Sequence, residues 1–336
     1  MLKFSTLTLS SAFTAALTLS AQAETLLTVS TWASPNHLIN SQSFPYMDKV
    51  LRECSGGDLG LKLEYGLASP PAQYDTIRDG VADISWIVPG YTPGKFTTMM
   101  LAELPGNSGN AEEISVAYQM TYDKFFAAAK EAKGVQVLAN FVHGPGRLNM
   151  IEPLEGGIQS VAGKKIRIGS GVGAMMATSL EMAAVNVPAT AVYETLASGV
   201  AEGVLFPAET LKSFRVDELV NYSYHNPDGM YTTAFKIILN NETYEGLSDM
   251  HRACVDELRG IDLAREIGRH WDVADQIVMD AIANGDSNLQ VIELDANERA
   301  YFKEKTVSVE AQVLEQVTSS GIDGAAALEY LREQLN

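Results

Sequence analysis

Two stretches far apart in the chain carry the same unit. YDTIRDGVADI (74–84) and YETLASGVAEG (193–203) share a tyrosine, an acid, a threonine, an aliphatic residue, then Gly-Val-Ala and a closing acid or its neighbour. Each reads as a helix stopped by a glycine, Gly80 or Gly199, and turned at once into a strand. Glycine suits that stop because it enters the left-handed conformation without a Cβ clash. One repetition, at a spacing far too long for a solenoid, predicts two lobes built on one plan.

The flanking pattern agrees with that plan. Strand-like runs at 25–33, 61–66, 81–88 and 135–142 alternate with helical spacing at 40–54, 72–80 and 111–134. The second half repeats the alternation: KKIRIG and VAEGVLF as strands, AMMATSLEMAA and TAVYETLASG as helices, and AFKIILNN (234–241) as a further strand. Such alternation predicts α/β layers with largely parallel sheets. A long helical stretch follows at 247–285, more than one lobe needs, and is expected to span two lobes as a hinge. A terminal helix is expected at 326–335.

The first 23 residues read as a cleavable export signal: Lys3, an apolar stretch rich in Ser and Thr, and Ala21-Gln22-Ala23 as the cleavage pattern. No later segment is apolar enough to span a bilayer, so the expected location is the periplasm. The formal net charge of −18 makes nucleic acid and anionic membrane surfaces poor partners. An anionic ligand would therefore need cations placed locally. The two cysteines, Cys54 and Cys254, could form a disulfide in an oxidising compartment, but sequence leaves their pairing open.

Catalytic and metal patterns are missing. The five histidines never fall into ligand spacing, and Ser170 lacks the frame of a nucleophile elbow. GSGVG (169–173) is neither a dinucleotide fingerprint nor a P-loop, so neither a cofactor nor a metal is expected. In HWDVAD (270–275), His270 and Asp272 turn away from one another, which predicts a solvated face around a buried Trp271.

Arg167 in GKKIRIG is the conspicuous candidate. Strand periodicity sends Ile166 and Ile168 to one face and Arg167 to the other, two residues before Gly169. That places it at the carboxyl end of a strand, where open α/β sheets bind ligands. Its planar fork meets a carboxylate with two parallel hydrogen bonds, although pairing with an internal acid would use the same geometry. Arg147, twenty residues upstream, follows a Gly-Pro-Gly turn suited to a crossing between lobes. Trp32 ends the first strand, and Trp86 and Tyr91 follow another, as ligand contacts or as core. His37, His143 and His225 lie near strand–loop boundaries and could add hydrogen bonds.

These residues bring out a resemblance. An early Thr-Trp before a helix, YDTIRDGVADISWIVPGYTPGKF (74–96), LAELP (101–105), GKKIRIG (163–169), VNVPATAVYETLASGVAEG (185–203) and LNNETYEGLSD (239–249) occur in order along most of the mature chain. Together they resemble the solute-binding subunits of tripartite ATP-independent periplasmic (TRAP) transporters, the DctP type. The resemblance implies a two-lobed α/β flytrap fold with a long hinge-spanning helix. It also implies an organic acid held between the lobes, with Arg167 as the clamp on its carboxylate and Arg147 as the second arginine of some branches. Many members carry Asp-Gly-Gln-Glu-Asn-Pro where this chain has Glu202-Gly203-Val204-Leu205-Phe206-Pro207. Phe206 in place of the amide predicts an apolar or aromatic pocket wall and argues against a plain C4-dicarboxylate or sialic acid.

The expected organisation is a leader over 1–23, a first lobe from 24–144 with 232–271, and a second from 145–231 with 272–336. The expected function is capture of a small carboxylate by Arg167, Arg147, Phe206, Trp32, Tyr91, Trp86 and His37. Delivery to the small and large TRAP membrane subunits follows, driven by an ion gradient, with the protein a monomer. Two alternatives differ in kind. A secreted α/β enzyme acting on a small acid would turn its ligand over, and a binding protein for an ATP-driven importer would share the lobes but not the Arg167 signature.

Overall fold

The computed structural model describes residues 24–169 and 171–335; the expected leader lies outside them. The strands are β1 (Thr25–Thr31), β2 (Leu59–Tyr65), β3 (Ile84–Ile87), β4 (Val135–Val142), β5 (Arg147–Met150) and β6 (Lys165–Ile168). They continue as β7 (Ala183–Asn186), β8 (Gly203–Phe206), β9 (Tyr222–His225), β10 (Ala234–Asn240) and β11 (Gln290–Glu293). The helices in the first third are α1 (Phe44–Ser55), α2 (Gln73–Arg78) and α3 (Ala111–Lys124). Then come α4 (Val172–Ser179), α5 (Val192–Ala197), α6 (Ala208–Ser213) and α7 (Asn241–Gly246). The last four are α8 (Asp249–Leu258), α9 (Ile261–Ala283), α10 (Ala296–Ser319) and α11 (Gly324–Glu333).

Two sheets result, in the orders β2-β1-β3-β10-β4 and β11-β9-β5-β8-β6-β7. The one-plan expectation is visible in their pairing. In the first, β1 is parallel to β2 and β3, and β10 joins β3 antiparallel. In the second, β6 is parallel to β7 and β8, and β5 joins β8 antiparallel. Gly80 and Gly199 share a φ of +71°. The acids that follow them also do one job: Asp83 accepts from the Thr28 N–H and Glu202 from the Lys165 N–H. The sheets are mixed, not largely parallel, because β5 and β10 enter each sheet from the other lobe and run against their neighbours.

Several expected elements end differently. The helix expected over 111–134 stops at Lys124 and gives way to a 3₁₀ turn at Phe126–Ala129. The helix expected to 184 stops at Ser179, and Ala183–Asn186 pairs with β6 instead, so ladder pairing outweighs alanine's helix preference. The continuous stretch at 247–285 is two helices. Gly260, at φ +100°, separates α8 from the 23-residue α9 and donates its N–H to the Leu138 carbonyl. The longest helix, α10, lies in a region given no element above; Asp295 and Glu298 form its capping box.

The sheets are joined by residues 143–146, by 226–233 and by α9. α9 carries the capping groups for both sides. Asp272 accepts from the Ala111 and Glu112 N–H groups at the start of α3 (2.7 and 3.0 Å), so it is a cap and not part of a solvated face. One turn on, Asp275 accepts from the Glu209 N–H at the start of α6 (2.6 Å). His270 is buried against Ser43. The division expected for 272–336 does not describe α11: Leu328 and Leu331 cluster with Leu101, Leu104 and Tyr118 beside the first sheet.

Cys54 in α1 and Cys254 in α8 form a disulfide that closes a separation of 200 residues. Both helices belong to the core of the first sheet, where α1 buries Phe44, Met47 and Leu51 on one stripe. The bridge therefore braces one lobe and leaves the hinge free. Replacing both cysteines with alanine is expected to lower stability by about 2–4 kcal/mol. Ligand affinity should stay unchanged, as read by denaturant unfolding and calorimetry side by side.

Candidate functional site

The carboxyl ends of β1 and β3 in the first lobe and of β6 and β8 in the second converge on one cavity. Its lining includes Trp32, His37, Trp86, Tyr91, Arg167 and Phe206. The cavity is small, with a free span on the order of one aromatic ring.

Arg167 is 1 % exposed. Its Nε and Nη2 both donate to the Val187 carbonyl, at 3.0 and 2.8 Å. Its guanidinium lies 4.6 Å from the Phe206 ring centroid, a cation–π contact. Among the described residues no carboxylate pairs with it. A buried cation held by one carbonyl, one ring and a hydroxyl at 3.5 Å, all neutral, is incompletely compensated, so the site favours an anion.

Tyr91 reaches across the cleft. Its hydroxyl accepts from the Ala189 N–H at 3.0 Å and lies 3.5 Å from Arg167 Nη2, which leaves its own proton to donate. Buried Glu103 makes a second crossing, accepting from Val172 N–H at the start of α4 and from Ala234 N–H in β10. Burial pushes Glu103 up to about 7.

The remaining walls are aromatic. Trp32 and Trp86 stack with centroids 4.0 Å apart, and the Trp32 indole N–H donates to the Trp86 carbonyl. Phe206 contacts Phe214 at 5.6 Å, and Phe214 meets His37 edge-on at 5.9 Å. Phe235 and Trp271 stack at 5.7 Å.

Six of the seven expected site residues come together here. Arg147 does not line the cavity. It lies beside Asp275 at the hinge, and burial lowers its pKa while the Asp275 charge opposes that fall. Sequence reasoning gave no weight to Tyr231, Phe214, Phe235 or Thr233 and treated Trp271 only as core; all five line the cavity. Tyr231 packs against Gly146, where a Cβ would come within 2.2 Å of its ring. That Gly-Pro-Gly turn was the available signal, since a glycine can mark a close approach.

Among the described residues no cluster of three or more His, Cys, Asp or Glu side chains is arranged to hold a metal, and no helix is long and apolar enough to cross a membrane.

Two lobes of one plan, closed over a buried arginine in an aromatic cavity, define a ligand-capturing protein of the flytrap class. The chain belongs to the bacterial extracellular solute-binding proteins of family 7 (DctP), whose model matches residues 29–317. It is a TRAP solute-binding subunit of the DctP type, in a periplasmic family.

A TRAP periplasmic solute-binding protein from Bordetella bronchiseptica, solved with bound (R)- and (S)-mandelate, is 31 % identical with a TM-score of 0.88. The match covers 92 % of this chain and 98 % of that one. A TRAP solute-binding protein from Rhodoferax ferrireducens T118, in complex with copurified benzoate, is 28 % identical with a TM-score of 0.85, over 92 % and 97 % of the chains. A Comamonas testosteroni protein described as outer membrane transporter protein TsaT is 26 % identical over 330 residues, 96 % of each chain. The family and these solved neighbours are binding proteins rather than enzymes.

Proposed function

We propose that this protein captures a small aromatic monocarboxylate between its lobes in the periplasm and delivers it to the two TRAP membrane subunits for uptake driven by an ion gradient. The observation that carries the reading is Arg167: buried, stacked on Phe206, unpaired by any carboxylate among the described residues, and facing the aromatic cavity. The ligand carboxylate pairs with the guanidinium and accepts a hydrogen bond from the Tyr91 hydroxyl. The ring lies among Trp32, Trp86, Phe206 and His37. Mandelate and benzoate in the two solved relatives support this ligand class.

Arg147 takes no direct part. With Arg147 outside the cavity lining, a second carboxylate on the ligand meets no cation of its own there, so monoacids outrank diacids. The lobes pivot about 143–146, 226–233 and α9, and Tyr91 with Glu103 holds the closed form. The protein works as a monomer, without nucleic acid.

A thermal-shift screen tests the reading, since ligand raises the melting point by mass action. Benzoate and mandelate should shift the mature protein and succinate should not. A shift by succinate or by neutral solutes alone would refute the ligand class. Tyr91→Phe should weaken benzoate binding by about 0.5–1.5 kcal/mol, up to about tenfold, because it removes a cross-cleft acceptor and a donor to the carboxylate. Calorimetry checks it.

A further inference from the structure

We infer that His37 and His143 together read a neutral hydrogen-bonding substituent, a hydroxyl above all, on the ring of the captured acid. The inference rests on the aromatic-acid reading above and deepens it.

Both histidines are buried and line the cavity. Their tautomers are fixed by neighbours, and in opposite senses. The Ile39 N–H donates to His37 Nδ1 at 3.2 Å, so the neutral ring carries its proton on Nε2. His143 Nδ1 lies 2.6 Å from the Gly144 carbonyl, which only accepts, so there the proton sits on Nδ1 and Nε2 is a lone pair. One histidine thus offers a donor and the other an acceptor.

Both belong to the same region. His37 lies 5.5 Å and His143 6.0 Å from the Trp271 ring, centroid to centroid. His37 is joined to Arg167 only through the Phe214 and Phe206 rings, and His143 packs edge-on against Tyr231, whose hydroxyl feels the Arg167 charge. A carboxylate at Arg167 therefore leaves the ring's substituents toward the histidines.

Unfilled hydrogen-bonding capacity marks the same place. Glu209 Oε2 is buried without a hydrogen-bond partner among the described residues and stands 3.9 Å from His37 Nε2, beyond bonding distance. The buried hydroxyl of Tyr231, whose ring packs edge-on against His143, also lacks a partner among the described residues. A hydroxyl is the smallest group that both donates and accepts, and it complements such a set. A halogen leaves the set unpaired. A second carboxylate meets a lone pair and no charge, since burial holds His37 near 3 and His143 near 4 and both stay neutral.

The test is calorimetry on the mature protein with benzoate, 3-hydroxybenzoate, 4-hydroxybenzoate and 3-fluorobenzoate. At least one hydroxybenzoate should bind about tenfold or more tightly than benzoate, and the fluoro analogue should gain nothing comparable. In His37→Phe and His143→Phe, each first shown to melt cooperatively, the hydroxybenzoate-to-benzoate ratio should fall to within about threefold of unity. The ratio is the readout, so a general loss of affinity does not mimic the effect, and if one variant fails to fold the other still decides. Benzoate binding with no advantage for either hydroxyl position overturns the inference and leaves the aromatic-acid reading standing. A hydroxyl advantage that survives both substitutions also overturns it. Absence of binding by every aromatic acid overturns both.

Discussion

Replacing Arg167 with alanine is expected to weaken capture of an aromatic carboxylate by about 3–5 kcal/mol, roughly a hundred- to several-thousand-fold. The closed cavity removes the ligand carboxylate from water, and the guanidinium is what offsets that desolvation. Without it the carboxylate is left beside Phe206 and the Trp32–Trp86 stack, with the Tyr91 hydroxyl as its remaining donor. Arg167→Lys should recover only part of the loss. An ammonium cannot present two parallel donors to a carboxylate while keeping the Val187 carbonyl engaged and a flat face on Phe206. The ligand-free protein should tolerate the change, because among the described residues no internal acid depends on Arg167. Its melting point without ligand then separates lost binding from lost folding. Calorimetry that returned wild-type affinity for Arg167→Ala would remove the arginine from the site.

Arg167 was legible for a reason that applies to few other residues here. Its strand, its phase within the strand and the glycine behind it are all local, and local sequence fixes them. The repeated helix–glycine–strand unit was legible in the same way, down to the matching acids Asp83 and Glu202. The cavity's far wall was not. Tyr231, Phe214 and Trp271 lie in segments brought together by the crossings at 143–146, 226–233 and α9, and no period within a segment encodes that approach.

Arg147 shows how far a local reading reaches. Resemblance marks it as a second clamp; the structure sets it outside the cavity lining, within the electrostatic reach of Asp275, 128 residues away on α9. The helix boundaries failed where turns compete with propensity. Gly260 splits the long stretch through its own left-handed backbone, and Ala183–Asn186 leaves the helix because β6 offers an open edge. The α10 capping box, Asp295 with Glu298, is by contrast a purely local signal.

The hinge supports the second large prediction. Asp275→Ala is expected to cost about 1–3 kcal/mol of stability, because it strips the Glu209 N–H of its acceptor. Asp275 Oδ1 accepts from Glu209 N–H at the start of α6. Its Oδ2 occupies the space beside Gly144, where any Cβ would come within 1.8 Å of it. Arg147 on β5 and Asp272 on α9 are its charged neighbours. Burial pushes Asp275 up to about 7 and Glu209 up to about 8.

The sign of the pH effect follows. Between about 4, where an unfolded aspartate titrates, and about 7, the folded state binds a proton that the unfolded state has released. The Asp275 contribution to stability is therefore fully present below about 4, declines as pH rises to about 7, and is flat above. Glu209 adds the same slope up to about 8. Asp275→Asn keeps an acceptor for the Glu209 N–H and cannot ionise. Its stability relative to wild type should rise between pH 5 and pH 8, whereas Asp275→Ala should be destabilised at both. Urea unfolding of the three proteins at those two pH values makes the comparison. A wild-type-minus-Asn difference that stayed constant would show that Asp275 is ionised in the folded hinge throughout, with Arg147 holding it charged.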